Sequence, residues 1–165
     1  NDGNYAGASS SGSAMAIEKN EIEVAITTDT GGSNIVPACR INCYGFKPTF
    51  GRISRWGLVP LCSCLDTVSL MSKSLEKLSM VYDLLDFLDE KDALSVPLEE
   101  RTKSISNEVY ILEDFFTPSD LEKVSKRYPH AKYIKGNIDP KILLGFYYYI
   151  MCPDFYFLPR KYLSL

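Results

Sequence analysis

The sequence predicts an α/β fold, a sheet with helices on its faces. Three observations carry that prediction. Residues 21–28 alternate with a period of two, residues 74–90 repeat at three and four, and further strand-like and helix-like stretches alternate along the rest of the chain. With 165 residues, 45% hydrophobic and 24% charged, there is apolar material for one core, so the chain is one compact domain or part of one.

The elements follow in order. Residues 1–13 are Gly, Ser, Asn and Ala almost throughout, a linker-like composition, yet Ser11-Gly12-Ser13 leads straight into Ala14-Met15-Ala16-Ile17-Glu18-Lys19, good helix formers after a glycine-serine loop. From Glu21 to Thr28, Ile22, Val24 and Ile26 alternate with Glu21, Glu23 and Ala25, the pattern of a strand, which ends at Asp29-Thr30-Gly31-Gly32-Ser33. A short helix after Pro37 runs through Cys39 and Ile41. Tyr44 to Gly57 carries glycines and a proline that break regular structure. Leu75, Leu78, Val81, Tyr82, Leu85 and Leu88 predict an amphipathic helix over 74–90 packed on the core. A polar connection over 91–107 precedes a strand at Val109–Leu112. Thr117 as cap, Pro118 in the first turn and acidic Asp120 then open another helix. Ala131–Lys135 reads as a short strand, and Ile142–Met151 as a strand or a buried helix.

Composition excludes some functions. Against 21 Asp+Glu stand 18 Lys+Arg, a net charge of −3, so the chain has no overall basic field to hold a phosphate backbone. The longest apolar run, Ile142–Cys152, falls short of the roughly 20 residues that span a bilayer, which excludes membrane insertion by a helix. Five cysteines (Cys39, Cys43, Cys62, Cys64, Cys152), odd in number and without a disulfide rhythm, read as free thiols in a reducing compartment. Neither Cys39 with Cys43 nor Cys62 with Cys64 has zinc-ligand spacing, so no metal is predicted. The opening Asn1-Asp2-Gly3-Asn4 has neither an initiator Met nor a signal sequence, which predicts further chain upstream.

The chemistry concentrates in two places, the serine pair Ser9-Ser10 and the serine after two glycines at a strand end, Ser33. Paired glycines let backbone N–H groups turn toward a bound oxygen, so Ser33 is a candidate nucleophile beside its own oxyanion hole. A serine hydroxyl needs a base. The sole histidine, His130, lies in a polar turn and reads as a surface residue, which disfavours a Ser-His-Asp triad. Asp66 reads as a loop cap. Arg52 and Arg55 read as partners of nearby carbonyls and carboxylates, and the aromatic cluster of Phe146–Tyr149 with Phe155–Phe157 as a core or subunit contact.

Four linked stretches, Gly7–Ala14, Thr28–Ser33, Gly45–Leu58 and Ser63–Asp66, together resemble the amidase signature family in order and without gaps. Gly51 to Pro60 is similar to its fungal mitochondrial branch. The likeness thins beyond residue 95, dividing the single partial domain 1–165 into a signature core, 1–95, and a divergent continuation, 96–165. The resemblance implies part of the amidase-signature fold, with a mixed β-sheet flanked by helices. It also implies a Ser-Ser-Lys triad, with Ser33 as nucleophile forming an acyl ester, and Ser9, held by a cis peptide bond, as proton relay. Thr30, Gly31 and Gly32 would form the oxyanion hole. The triad lysine lies upstream in the family and is absent from this chain; Lys47 matches a different family lysine.

What the resemblance implies for function is hydrolysis of glutamine, with the ammonia passed to partner subunits of an amidotransferase that converts Glu-tRNA(Gln) to Gln-tRNA(Gln) in mitochondrial translation. The partner subunit uses ATP and Mg; this chain needs no cofactor. Two alternatives stand beside it, an amidase of another small amide and a truncated, inactive structural segment. The 165 residues alone are expected to be inactive. Departures from the family pattern are Ala8 and Ser11 in place of glycines, where a positive φ would be strained, Ile35 in place of an arginine, Ser69-Leu70 in place of Gly-Pro, and a divergent 154–162.

Overall fold

The computed structural model describes residues 6–96 and 108–156. The chain divides into two compact units, Asn1–Glu100 with Met151–Leu165, and Arg101–Ile150.

In the first unit α1 (Ser11–Glu18) leads to β1 (Val24–Asp29), α2 (Ile35–Arg40), β2 (Tyr44–Phe46), β3 (Thr67–Ser72) and α3 (Leu75–Leu85). The strands form one antiparallel sheet in the order β1-β3-β2, with Ile26 and Phe46 both opposite Leu70. The central strand β3 has no counterpart in the sequence expectations. Its segment Thr-Val-Ser-Leu-Met-Ser is buried at five of six positions, so it faces protein on both sides and shows no alternation to betray it. Leu70 and Ser69, which replace a Gly-Pro pair, are fully buried in this strand. A proline at 70 would remove an N–H from the middle of the sheet.

Two helices end in the same way. After α1, Asn20 (φ 59°) reverses the chain, its N–H bonding the Ile17 carbonyl while Glu21 N–H bonds that of Ala16; after α2, Asn42 (φ 55°) and Cys43 bond Cys39 and Ala38. Asparagine tolerates the left-handed conformation that this cap requires. Helix α2 begins before Pro37 rather than after it, because the first turn of a helix has no intrahelical use for the missing N–H. Helix α3 is capped by Ser74, whose Oγ accepts from the Lys77 N–H. It stops at Leu85 rather than continuing to Glu90, because Asp86 leaves the helical conformation and forms a buried pair with Arg52 at 2.5 Å.

The core is small-residue packing: Ala14 and Ile17 of α1, Ala25 of β1, Ala38 of α2 and Met71 of β3. The alanines let the helices approach the sheet closely, while Ile17 and Met71, at 1% and 0% exposed, each contribute roughly 2–3 kcal/mol by burial.

In the second unit β4 (Tyr110–Leu112) pairs in parallel with β5 (Lys132–Ile134) across a 3₁₀ turn (Glu113–Phe115) and α4 (Pro118–Arg127). Thr117 caps α4 as expected, accepting from the Asp120 N–H at 3.2 Å. The apolar run at 142–151 is helical, within α5 (Pro140–Tyr156). Its Phe146, Tyr148 and Tyr149 are exposed rather than in a core; Phe157 lies outside the described residues, as do 97–107 of the polar connection and 157–162 of the divergent tail. No helix among the described residues is long and apolar enough to cross a membrane.

Candidate functional site

The loop before α1 and the turn after β1 meet through the backbone. Ser10 N–H donates to the Ser33 carbonyl oxygen at 3.1 Å, and Ser10 in turn starts α1 by accepting from the Ala14 N–H. The Ala8–Ser9 peptide bond is cis. Ser9 is exposed and Ser33 half-buried. Gly7 must be glycine here, because its φ is +85° and a Cβ would lie 3.1 Å from the Pro37 backbone. Ala8 and Ser11 are outside the positive-φ region, so their replacement of family glycines introduces no backbone strain.

Asp29 organises the turn, a role the sequence expectations did not assign. Its carboxylate accepts from the N–H groups of Gly32 (2.8 Å), Asn34 (2.8 Å) and Ile35 (3.2 Å) and pairs with Lys47 Nζ at 3.0 Å. Burial alone would raise the Asp29 pKa. The amides of Asn34 and Gly32, the Lys47 ammonium and the Ile35 amide outweigh it, holding the carboxyl below the usual carboxylate range. The signal was an aspartate followed by small, turn-forming residues at the end of a strand, the setting in which a carboxylate closes a turn on its own downstream amides.

Gly32 thereby departs from its expected part. Its amide is committed to Asp29 Oδ1 because, at φ +112°, the backbone turns that N–H back toward the strand end. The amides of Gly31 and Ser33 have no hydrogen-bond partner among the described residues. Thr30 is anchored from the other side, its Oγ1 donating to Asp66 Oδ1. Asp66 Oδ2 accepts from the N–H groups of Leu61 and Cys62 at 2.7 and 2.9 Å, so Asp66 caps a loop. Fully buried Asn34 completes the platform: its Oδ1 accepts from Thr27 Oγ1 at 2.9 Å and its Nδ2 donates to the Leu70 carbonyl at 3.1 Å.

The remaining expected residues fall as follows. Lys47 is held by Asp29 and lies 3.5 Å from the Thr30 carbonyl. Ile35, standing for an arginine, is exposed at the start of α2. Arg52 pairs with Asp86; Arg55 stacks over the Phe50 ring at 4.3 Å and donates to the Ser63 carbonyl. His130 is exposed in the second unit. Burial pushes the Cys43 thiol up, against the pull of Lys73.

The fold is that of amidase-signature enzymes. The S177A form of Kluyveromyces lactis allophanate hydrolase matches with a TM-score of 0.78 at 25% identity, over 99% of this chain and 29% of that one. The A-type subunit of glutamyl-tRNA(Gln) amidotransferase from Thermotoga maritima matches with 0.70 at 26% identity, over 88% and 36%. The amidase family model matches residues 1–116, and the chain belongs to that family. Among curated relatives, the mitochondrial A-type subunit of the Candida albicans (strain WO-1) glutamyl-tRNA(Gln) amidotransferase is 45% identical over 97 residues, 59% of this chain and 22% of its own. The corresponding subunit of Helicobacter pylori (strain G27) is 32% identical over 160 residues, 87% of this chain and 35% of its own. The chain therefore spans between about a fifth and a third of the length of these curated relatives.

Proposed function

We propose that the chain is the serine-bearing core of a glutamine-hydrolysing subunit of a glutamyl-tRNA(Gln) amidotransferase. The observation that carries the reading is the 3.1 Å bond from Ser10 N–H to the Ser33 carbonyl, which keeps the serine pair beside the glycine-serine turn. In this reading Ser33 Oγ attacks the side-chain amide carbon of glutamine while Ser9 Oγ takes its proton. The amides of Gly31 and Ser33, with that of Thr30, face the oxyanion. Collapse of the tetrahedral intermediate forms the Ser33 ester and releases ammonia, the relay returning the proton to the leaving nitrogen.

By the family resemblance, the base behind Ser9 is a lysine upstream of the glycine-serine loop and outside these 165 residues; Lys47 is engaged by Asp29. The isolated chain is accordingly inactive. Partner subunits that use ATP and Mg receive the ammonia and amidate Glu-tRNA(Gln), and the fungal relatives named as mitochondrial support that compartment. A second reading, hydrolysis of another small amide, draws on the likeness to allophanate hydrolase.

In the complete protein Ser33→Ala should lower kcat for ammonia release from glutamine by about a thousandfold or more, and near-normal turnover overturns the assignment. Comparing ammonia release from glutamine, allophanate and an aryl amide separates the two readings; preference for either of the latter refutes the first.

A further inference from the structure

Beneath the Thr30 anchor lies a pair of thiols that the amidase reading does not use. Cys62 Sγ and Cys64 Sγ are 3.6 Å apart across the turn Cys62-Ser63-Cys64. Cys62 is fully buried, whereas Cys64 is exposed. The intervening Ser63 lines a cleft of about 580 Å³ together with Arg55, Trp56 and Lys91, and the thiol itself is reached through the exposed side of Cys64. The pair is also coupled to the site: the N–H of Cys62 donates to Asp66, whose other oxygen holds Thr30.

We propose that Cys62 and Cys64 are a redox-active dithiol that closes to an internal disulfide by exchange with low-molecular-weight disulfides such as oxidised glutathione, and that closure loosens the Asp66 anchor. Exposed Cys64, as its thiolate, attacks one sulfur of the glutathione disulfide; that S–S bond breaks and one glutathione thiolate leaves. Cys62 then gives up its proton to solvent and attacks the Cys64 sulfur of the mixed disulfide, expelling the second glutathione thiolate. Two protein thiols are oxidised and one disulfide is reduced to two thiols, protons passing through solvent. Bonding draws the sulfurs from contact to about 2.05 Å. A ring closed over a single residue reopens readily with excess thiol, as suits a reversible switch rather than a staple. The inference stands apart from the role of Ser33.

The test uses the complete protein in its folded state, incubated with oxidised glutathione, alkylated, and digested with trypsin. Cleavage after Arg55 and Lys73 releases residues 56–73, which contain these two cysteines and no others. The expected peptide is unalkylated, lighter by two hydrogens than the reduced peptide, and restored by dithiothreitol. Cys62→Ser should retain one glutathione on Cys64, and Cys64→Ser should leave Cys62 unmodified. Two alkylated cysteines in the treated wild type, or a lasting glutathione adduct there, overturns the dithiol. Hydrogen exchange at the Leu61 and Cys62 amides should accelerate in the oxidised chain, and unchanged rates overturn the link to Asp66.

Discussion

Asp29 and Lys47 form an ion pair of 3.0 Å in which the carboxylate is 1% exposed and the ammonium about one-third exposed. The pair sits at the root of the turn that presents Ser33. A buried carboxylate with three backbone amides and one cation as partners is a rigid point in an otherwise glycine-rich segment.

Replacing Asp29 with Asn keeps the shape but removes the charge that all four partners face. Asp29→Asn should destabilise the chain by about 3 kcal/mol. The check is urea denaturation, where the midpoint should fall with the m-value unchanged.

Acid should act through the same group. The folded-state pKa of Asp29 is depressed, so below the unfolded value of about 3.9 the unfolded chain binds more protons than the native one. The contribution of Asp29 is present above that value and lost as pH falls through the folded pKa. Thermal midpoints measured on acidification should drop in the wild type, and Asp29→Asn should flatten that part of the profile.

Asn34 ties the backbone of β3 and the Thr27 hydroxyl of β1 to the turn without carrying charge. Asn34→Ala removes its bonds to the Thr27 hydroxyl, which keeps only a longer contact of 3.4 Å to the Ser69 carbonyl, and to the Leu70 carbonyl, a cost of about 1–2 kcal/mol. Differential scanning calorimetry would register it as a lower midpoint; an unchanged midpoint would remove Asn34 from the platform.

Arg52 and Asp86, both buried, tie the Gly51–Arg55 segment to the end of α3. Truncating either alone removes the buried 2.5 Å bond and should destabilise the chain by more than Arg52→Met with Asp86→Leu, which replaces both charges by apolar side chains. A double-mutant cycle in urea measures that difference.

Much of this molecule was legible in the sequence where a local cause was enough. The Thr117-Pro118-Ser119-Asp120 signal marks the start of α4 because a cap, a proline in the first turn and an early acid act within one turn. The glycine-serine loop before α1 and the strand end at Asp29 were likewise readable. The inward face of β1 was not. The apolar alternation draws the eye to Val24 and Ile26, yet Ala25, Thr27 and Asp29 are the buried positions, and Ile26 is 60% exposed. Polar side chains take the inside there because Asn34, Lys47 and the turn amides satisfy them, and those partners come from residues beyond the strand.

Residue types and spacings by themselves determined the α/β class, the starts of α3 and α4, and the two serine-bearing loops, since each depends on forces acting over a few residues. Tertiary structure alone decided that β3 is the central strand, that the Gly32 amide turns back to Asp29, and that Cys62 and Cys64 lie in contact. Those outcomes depend on which distant groups fill a buried polar valence or cover a face, and such choices are made only when the chain closes on itself.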